Sequence, residues 1–295
     1  MAMAQARHVK GLLEARAQIE IEIVGIETSG DKWQGDLADL GGKAAFLKEI
    51  ERALVADQVD LAVHCLKDVP GDVPPPEGLI FPAYLEREDT RDVMVFPAAS
   101  GVAGSAELPA GARVGTSAVR RQAQLAQIRP DLRVEHVRGN VNSRLGRLDA
   151  GAEFDAIIVA KAGLERLGLD RPYEILDMLS AVGAGVLALQ CRQRDTDIVE
   201  LLRPLDHPDT RTCALAERTM LHILRGHCNS PIAGRARLDG DGRLSLHGMV
   251  FTPDGDRFVR SHGWASPGEA AELGARVAAD LLQEGARELI DGIPH

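Results

Sequence analysis

Apolar residues in the first part of the chain recur at two different spacings. In GGKAAFLKEIERALVADQ, Phe46, Ile50 and Leu54 lie four residues apart, which places them on one face of a helix. AQARHVKGLLEAR also has helical spacing, whereas QIEIEIVGIET alternates apolar and polar residues as a strand does. The apolar run at residues 59–63 predicts a second strand, buried on both faces. The order strand, helix, strand predicts a βαβ unit with a parallel sheet.

The same alternation restarts in the middle of the chain, after a stretch rich in glycine and alanine. The segments ARVGT, DLRVEHV and FDAIIVA predict strands, and SAVRRQAQLAQIRP and NVNSRLGRLDAG predict the helices between them. FDAIIVA continues into a helical KAGLERLG. This order predicts a second block, βαβαβ. A further apolar strand is expected at AVGAGVLALQCR and fits either of the two sheets.

The pattern changes near residue 207. CALAERTMLHILRG predicts a helix, and AGRARL, RLSLHGMVF and RFVRSHGWA predict strands separated by the hairpin signals DGDG and TPDGD. PGEAAELGARVAADLLQEGARELI predicts a final helix. We therefore expect an α/β fold with two α/β domains, formed by residues 1–87 with 186–203 and by residues 92–181. Residues 207–295 are expected to form a small C-terminal α+β domain with a three-stranded antiparallel sheet.

Composition argues against several classes of protein. The chain has 295 residues, a net charge of -10 and only 3% aromatic residues, which disfavours nonspecific binding of nucleic acid. No apolar run reaches the roughly 18 residues of a membrane span, and MAMAQARHVK lacks the apolar core of a secretory signal. We expect a cytoplasmic protein. The four cysteines form no C-x-x-C pair, so no metal site and no disulfide framework is indicated.

Two strand-to-helix junctions in the middle of the chain predict anion sites. Helix starts present free backbone N–H groups and the positive end of the helix dipole, and arginine adds a planar fork for carboxylate or phosphate. In an acidic protein, arginines gathered at one sheet edge suggest a ligand with several negative charges. The alternative is that they are solvated residues making weak surface pairs. The residues concerned are Thr116, Ser117, Arg120 and Arg121 at the first junction, and Arg138 and Arg144 at the second.

Lys67 and Asp68 follow the apolar run at residues 59–63, at the strand end where open α/β sheets hold ligands. On an extended backbone the two side chains point to opposite sides, but a turn before Pro70 brings both to the same side. Asp68 is then a candidate proton donor or counter-ion for a cation formed during a reaction. The alternative is an ordinary ion pair at a strand end.

Cys228 lies in LRGHCNSPIAG, a loop that follows a helix. A thiol beside His227 is a candidate nucleophile activated by a neighbouring base, although an inert core cysteine explains the residue equally well. His64, Cys65, Cys191 and Cys213 are expected to be packing residues.

Eight segments, in order and over nearly the whole chain, resemble the porphobilinogen deaminase (hydroxymethylbilane synthase) family. They are GGKAAFLKEIERAL, DLAVHCLKDVP, EREDTRD, VGTSAVRRQAQL, RPDLRVEHVRGNVNSRLGRLDAG, FDAIIVAKAGLERLGL, AVGAGVLALQCR and HCNSPIAG. The resemblance implies two domains like periplasmic binding proteins with a cleft between them, and a third domain that carries the cysteine. It also implies a monomer that joins four porphobilinogen molecules head to tail, releasing ammonia, to give hydroxymethylbilane.

The resemblance assigns roles to the candidate residues. It implies that Cys228 carries a dipyrromethane cofactor through a thioether and that Lys67 binds cofactor carboxylates. It implies that Asp68 protonates the departing amine and stabilises the azafulvene cation. The remaining positions that match cofactor- or substrate-binding residues are Lys43, Thr116, Ser117, Arg120, Arg121, Arg138, Arg144 and Arg166, of which Ser117 and Arg166 match substrate-binding ones.

The chain departs from the family pattern at its start. The family opens with a strand and an Arg-x-Ser segment, and residues 1–6 correspond to the tail of that pattern. An upstream start, a gap filled in another way and loss of activity are the possible explanations, and we favour the first. Cys65 and Ala118 stand where serine is usual, Ala184 replaces a glutamine, and Lys161 interrupts an alanine run. The alternative function is a noncatalytic module that binds a polycarboxylate or a pyrrole. A nucleic-acid binder is disfavoured.

Overall fold

The computed structural model describes residues 1–29, 44–71, 73–226 and 230–292. Its α-helices are α1 Ala2–Glu14, α2 Ala44–Val55, α3 Val119–Ile128, α4 Val141–Asp149, α5 Lys161–Arg166, α6 Thr196–Leu202, α7 Pro208–Ile223, α8 Ala270–Gln283 and α9 Ala286–Asp291. Its strands are β1 Ala62–Cys65, β2 Leu79–Tyr84, β3 Asp92–Val95, β4 Arg113–Gly115, β5 Arg133–Glu135, β6 Ala156–Ala160, β7 Tyr173–Ile175, β8 Leu187–Arg192, β9 Ile232–Leu238, β10 Leu244–Phe251 and β11 Phe258–Ala265. No helix in these ranges combines the length and apolar character needed to cross a membrane.

The N-terminal sheet has the order β1-β8-β2, and both outer strands run antiparallel to β8. The prediction of a parallel βαβ unit was therefore wrong, because β1 pairs with a strand more than 120 residues later in the chain, Ala62 opposite Gln190. The second strand also begins later than expected: Asp60 is exposed, and β1 alternates buried and half-buried residues. The strand expected at AVGAGVLALQCR is β8, which settles its place in the N-terminal sheet.

Residues 18–28 form no strand, although their alternation predicted one. Ile21 packs against the core beside α1, but Ile19 and Val24 are largely exposed. An alternating pattern satisfies the side chains only, and a strand also needs a neighbour to complete its backbone hydrogen bonds. Among the described residues, no strand forms these backbone hydrogen bonds with residues 18–28.

The central sheet has the order β5-β4-β6-β3-β7 and confirms the predicted βαβαβ block. Strands β4, β5 and β6 are parallel, and each is followed by a helix, so that α3, α4 and α5 begin at the same edge. Strand β3 pairs antiparallel with both β6 and β7. Helix starts that share a sheet edge concentrate unpaired N–H groups there.

The C-terminal sheet, β9-β10-β11, is antiparallel as predicted, and helices α7 and α8 pack on it through Met220, Val277 and Leu281. The final helix is two helices rather than one, because Gly285 adopts a left-handed conformation (φ 97°) between α8 and α9. This glycine conformation ends a helix at little steric cost.

A buried ion pair attaches α7 to two segments that run between the N-terminal and central sheets, and to β9. Arg87, in the segment between β2 and β3, donates to Glu217 of α7 through two nitrogens at 2.6 and 3.1 Å. Glu217 is fully buried and also accepts from the backbone N–H groups of Gly183 and Ala236, each at 2.7 Å. Because both carboxylate oxygens of Glu217 accept hydrogen bonds, its negative charge is compensated. The same contacts fix the segments that contain Arg87 and Gly183 relative to α7.

Candidate functional site

Lys67 and Asp68 lie in a single 3-10 turn, Leu66–Asp68, directly after β1. Both side chains are half-buried, and the turn replaces the continuing strand that would have pointed them to opposite sides. The turn is closed by a hydrogen bond from Val69 N to Leu66 O (3.1 Å). The alternative in which a turn precedes Pro70 is therefore the one observed.

Gly183 packs directly against this turn. It has φ +72°, and a Cβ at this position would lie 2.9 Å from Lys67 N. Leu66 N in addition donates to Val186 O at 2.9 Å. The VGAG segment before β8 thus fits closely under the turn, and only glycine allows that approach.

His64 is buried beside the turn and donates from Nε2 to Gln190 Oε1 (2.9 Å). Burial lowers the pKa of His64 to about 4, even though its hydrogen bond to Gln190 and the negative charge of Asp68 both act to raise it. The imidazole is therefore neutral near pH 7 and adds no positive charge beside the Asp68 carboxylate.

Arg120 and Arg121 open helix α3 and are each only 7% exposed. Both pair with Asp92 of β3, with N–O distances of 2.7 Å, and they also donate to the carbonyls of Leu179 (2.7 Å) and Ile158 (3.1 Å). Burial acts to raise the pKa of Asp92, but the two guanidinium groups outweigh it and hold that pKa below its usual range. These arginines are therefore not the solvated surface residues of the alternative interpretation. One carboxylate faces two positive charges, so one positive charge remains.

Arg144 of α4 is half-buried and donates to Gly139 O (2.8 Å) and to Ser117 Oγ (3.4 Å). Within the described parts of the chain no carboxylate pairs with it. Burial, followed by the charges of Arg121, Arg138 and Arg147, lowers the pKa of Arg144 to about 10. Arg144 thus lies among positive charges and pairs with no carboxylate of the described residues, which favours a bound anion.

The two strand-to-helix junctions are adjacent, as predicted, because Thr116 N donates to Glu135 O at 2.9 Å. Thr116 Oγ1 accepts from Ala118 N (3.2 Å), and Ser117 Oγ donates to Val137 O (2.9 Å). Asn140 caps α4 by accepting from Ser143 N (3.0 Å), whereas Ala118 gives α3 no side-chain cap. Ser117, which also contacts Arg144, links the two junctions.

Arg166 of α5 reaches from the central region to β1. Its Nη1 lies 3.3 Å from Cys65 Sγ, and its Nε lies 2.7 Å from Glu88 Oε2. Gln5 of α1 donates to the same sulfur at 2.9 Å. Gln5 and Glu88 were not singled out in the sequence; Glu88 lies within EREDTRD, whereas Gln5 carried no signal.

Lys43, His227 and Cys228 lie outside the described residues. The described residue Gly226 precedes that loop, and Leu221 of α7 packs on it: a Cβ at Gly226 would lie 2.4 Å from Leu221 Cδ1. A Cβ at Gly71, three residues after Asp68, would lie 2.4 Å from Leu221 Cδ2. Leu221 therefore packs against both the segment that leads to Cys228 and the segment that follows Asp68.

Cys191 and Cys213 are buried, and burial raises the pKa of both thiols, that of Cys213 to about 11.

Comparisons with known proteins agree over the whole chain. Residues 1–200 match the family described as "Porphobilinogen deaminase, dipyromethane cofactor binding domain", and residues 211–283 match "Porphobilinogen deaminase, C-terminal domain". The chain is 50% identical to porphobilinogen deaminase 2 of Streptomyces coelicolor, covering 100% of this chain and 95% of the relative. It is 43% identical to porphobilinogen deaminase of Syntrophobacter fumaroxidans, covering 99% and 94%.

Among solved structures, similarity is found to the periplasmic VFT2 domain of BvgS from Bordetella pertussis, with a TM-score of 0.38 and 16% identity over 68% of this chain and 75% of that one. A probable amino-acid ABC transporter extracellular-binding protein from Bacillus subtilis gives a TM-score of 0.39 and 12% identity over 68% and 79%.

Proposed function

We propose that this chain, which belongs to the porphobilinogen deaminase family, joins four porphobilinogen molecules head to tail. The product is hydroxymethylbilane, and ammonia is released. The chain is then a transferase of tetrapyrrole synthesis. The structural observation that supports this proposal best is the contact between Arg166 and Cys65. Cys65 immediately precedes the Leu66–Asp68 turn, so a side chain expected to bind substrate carboxylates lies within one turn of the expected acid.

The residues present fit a dipyrromethane cofactor attached to Cys228. Arg144 is partly buried and pairs with no carboxylate in the described part of the chain. Its neighbours Arg121 and Arg138 add positive charge, which suits a group bearing several carboxylates. When bound, the cofactor supplies a nucleophilic pyrrole end to which new rings are added. Besides Cys228, the cofactor would be held by Lys43, Lys67, Thr116, Arg120, Arg121, Arg138 and Arg144, and the substrate by Ser117 and Arg166.

Asp68 performs the charge-dependent part of the reaction. Its carboxyl group donates a proton to the departing amine of porphobilinogen, and its ionised form stabilises the positive charge that the loss of ammonia leaves on the substrate carbon. His64 supports this role because, with a pKa of about 4, it is neutral at the working pH and does not cancel the carboxylate charge. The half-buried position of Asp68 limits screening by water.

The proposal includes a division into three domains, with residues 1–87 and 186–203, residues 92–181, and residues 207–295. Each set contains one of the three sheets. It also includes a monomer in the cytoplasm, without nucleic acid or membrane partners. Size-exclusion chromatography with light scattering tests the monomer.

Incubation of the purified protein with porphobilinogen tests the function. We expect ammonia release, formation of hydroxymethylbilane, and a mass increase of two pyrrole units on Cys228. Cys228→Ser should abolish the adduct, whereas the matched thiol variant Cys213→Ala, at a buried position of the C-terminal region, should keep it. An unmodified Cys228 with retained binding of porphobilinogen but no ammonia would instead support the noncatalytic binding module.

A further inference from the structure

We propose that Arg218 of helix α7 is a positioning residue for Asp68: it holds the backbone that follows the Leu66–Asp68 turn and so ties the orientation of the carboxylate to the C-terminal region. This inference rests on the proposed function, in which Asp68 is the acid. Arg218 belongs to none of the groups expected from the sequence to contact cofactor or substrate.

Arg218 directs its guanidinium group at two consecutive carbonyl oxygens. Its Nη1 donates to Val69 O at 3.2 Å and its Nη2 donates to Pro70 O at 2.8 Å. No carboxylate pairs with it in the described ranges, and burial lowers the pKa of its guanidinium group. A partly buried arginine whose hydrogen bonds both reach main-chain oxygens fixes the path of that chain, because the planar fork sets the separation of the two carbonyls.

The same face of α7 holds the next carbonyl as well. His222, one helical turn after Arg218, contacts Gly71 O through Nδ1 at 3.1 Å. Three consecutive carbonyls after Asp68 are thus bound from one helix. Proline at position 70 has no N–H, so its carbonyl is its only backbone group that forms hydrogen bonds.

The residue before Arg218 fixes the other side of the turn. Glu217 accepts from Gly183 N at 2.7 Å, and Gly183 in turn packs against the backbone of Leu66 and Lys67. Two neighbouring residues of α7 therefore act on both ends of the Leu66–Asp68 turn. Leu221, between Gly71 and Gly226, extends the attachment to the segment that leads to Cys228. A shift of α7 would displace the acid and the start of the thiol loop together.

Arg211 provides a matched control on the same helix. It donates through Nη2 to two carbonyls of β2, Phe81 O (3.3 Å) and Pro82 O (2.8 Å), and pairs with Asp206. It therefore attaches α7 to the N-terminal sheet as Arg218 does, but away from the turn. Comparing variants of Arg211 and Arg218 therefore separates a general loss of α7 attachment from a loss of Asp68 positioning.

The kinetic test compares Arg218→Met, Arg218→Lys and Arg211→Met in the full-length protein. For Arg218→Met we expect kcat to fall roughly tenfold to a hundredfold with KM within about threefold, the scale expected for a misplaced catalytic group. Lysine keeps the charge but lacks the rigid planar fork that sets the separation of two carbonyls, so Arg218→Lys should recover only part of kcat. Arg211→Met should keep kcat within about twofold. Equal losses in both methionine variants would overturn the proposal.

A double variant tests whether Arg218 acts through Asp68. In an Asp68→Asn background, adding Arg218→Met should change the residual rate by less than about twofold, because the carboxylate to be positioned is already absent. A full additional loss would overturn the proposal.

Hydrogen–deuterium exchange of peptides covering residues 64–71 gives a readout independent of turnover. We expect faster exchange in Arg218→Met and not in Arg211→Met; unchanged exchange would overturn the proposal. Absence of ammonia release by the unsubstituted protein would refute the proposed function, while this exchange comparison would still decide whether Arg218 holds the turn.

Discussion

The candidate site contains opposite charges, on Arg120 and Arg121 at the start of α3 and on Asp68 of the Leu66–Asp68 turn after β1. The protein fixes these two parts of the site differently. The two arginines share Asp92, which lies in the same sheet region, and their other hydrogen bonds also end within or next to that sheet. The turn depends on contacts from elsewhere: Gly183, which precedes β8, and Arg218 and His222 of α7. The contacts of the two arginines are thus complete within the central region, whereas the Asp68 turn is held by distant parts of the chain.

This difference separates two kinds of effect. Disturbing the arginine edge removes compensation from a buried charge and acts first on stability. Disturbing the Asp68 turn moves one carboxylate and, under the proposed function, should act first on turnover. Arg144 pairs with no carboxylate in the described residues, so its loss leaves no buried acid without a partner. The effect of substituting Arg144 therefore lies between these two cases.

The largest expected effect is that of Arg121→Met. It removes one of two partners from Asp92, which is almost fully buried, and should lower the free energy of unfolding by about 3 kcal/mol or more. Chemical denaturation of the variant measures this value. Arg144→Met is the matched arginine control and should unfold within about 1 kcal/mol of the parent. If the two variants have equal stability, the Asp92 pairing does not stabilise the central region.

Asp68→Ala should lower turnover at least roughly a hundredfold, the scale of a lost acid or charge stabiliser. The measurement is the steady-state release of ammonia from porphobilinogen, with the mass on Cys228 checked in the same sample. Asp241→Ala, in an exposed hairpin turn, is the matched carboxylate control and should retain activity. An active Asp68→Ala protein would remove the carboxylate from the mechanism.

Acid should act on the two regions in different pH windows. The pKa of His64 is about 4 in the folded chain and near 6.5 when unfolded, so the unfolded state binds more protons between these values. Stability from the His64 region should therefore decrease as the pH falls from about 6.5 to 4, by roughly 1.4 kcal/mol per pH unit at the steepest. Asp92 has a lowered pKa, so its contribution is lost only below about pH 4.

Unfolding measured across this pH range in His64→Gln checks the assignment. The variant should lose the slope between pH 6.5 and 4 and keep the fall below pH 4. His136→Gln, at an exposed position after β5, should leave both windows unchanged. An unaltered slope in His64→Gln would place the titration elsewhere.

The smallest expected effect is that of Arg144→Met on ligand binding. Loss of one charge-assisted contact should slow the loading of unmodified protein with the dipyrrole about tenfold, at nearly unchanged stability. Intact-mass measurements during incubation with porphobilinogen give the loading rate. Arg147→Met serves as the control, because Arg147 lies on the same helix but pairs with Glu153. Equal loading rates in both variants would remove Arg144 from the binding edge.

Local patterns in the sequence predicted the central block and the C-terminal sheet because their strands and helices follow one another closely along the chain. They also placed Arg120, Arg121 and Arg144 at adjacent junctions. They did not predict that Asp92 neutralises part of that charge, because the carboxylate lies far from the arginines in sequence. The antiparallel pairing of β1 with β8 and the binding of residues 69–71 by α7 were missed for the same reason: both depend on contacts more than 100 residues apart.

The position of β8 has a consequence for synthesis of the chain. Strands β1 and β2 each pair with β8, and it is the strand that joins them. At a translation rate of roughly 5–20 residues per second, the first eighty-odd residues leave the ribosome several seconds before β8 does. The central strands, which all lie between residues 92 and 175, are completed during that interval. The central sheet can therefore form before the N-terminal one. A ribosome stalled before residue 187 would present β1 and β2 to chaperones without β8, their strand partner in the described part of the chain.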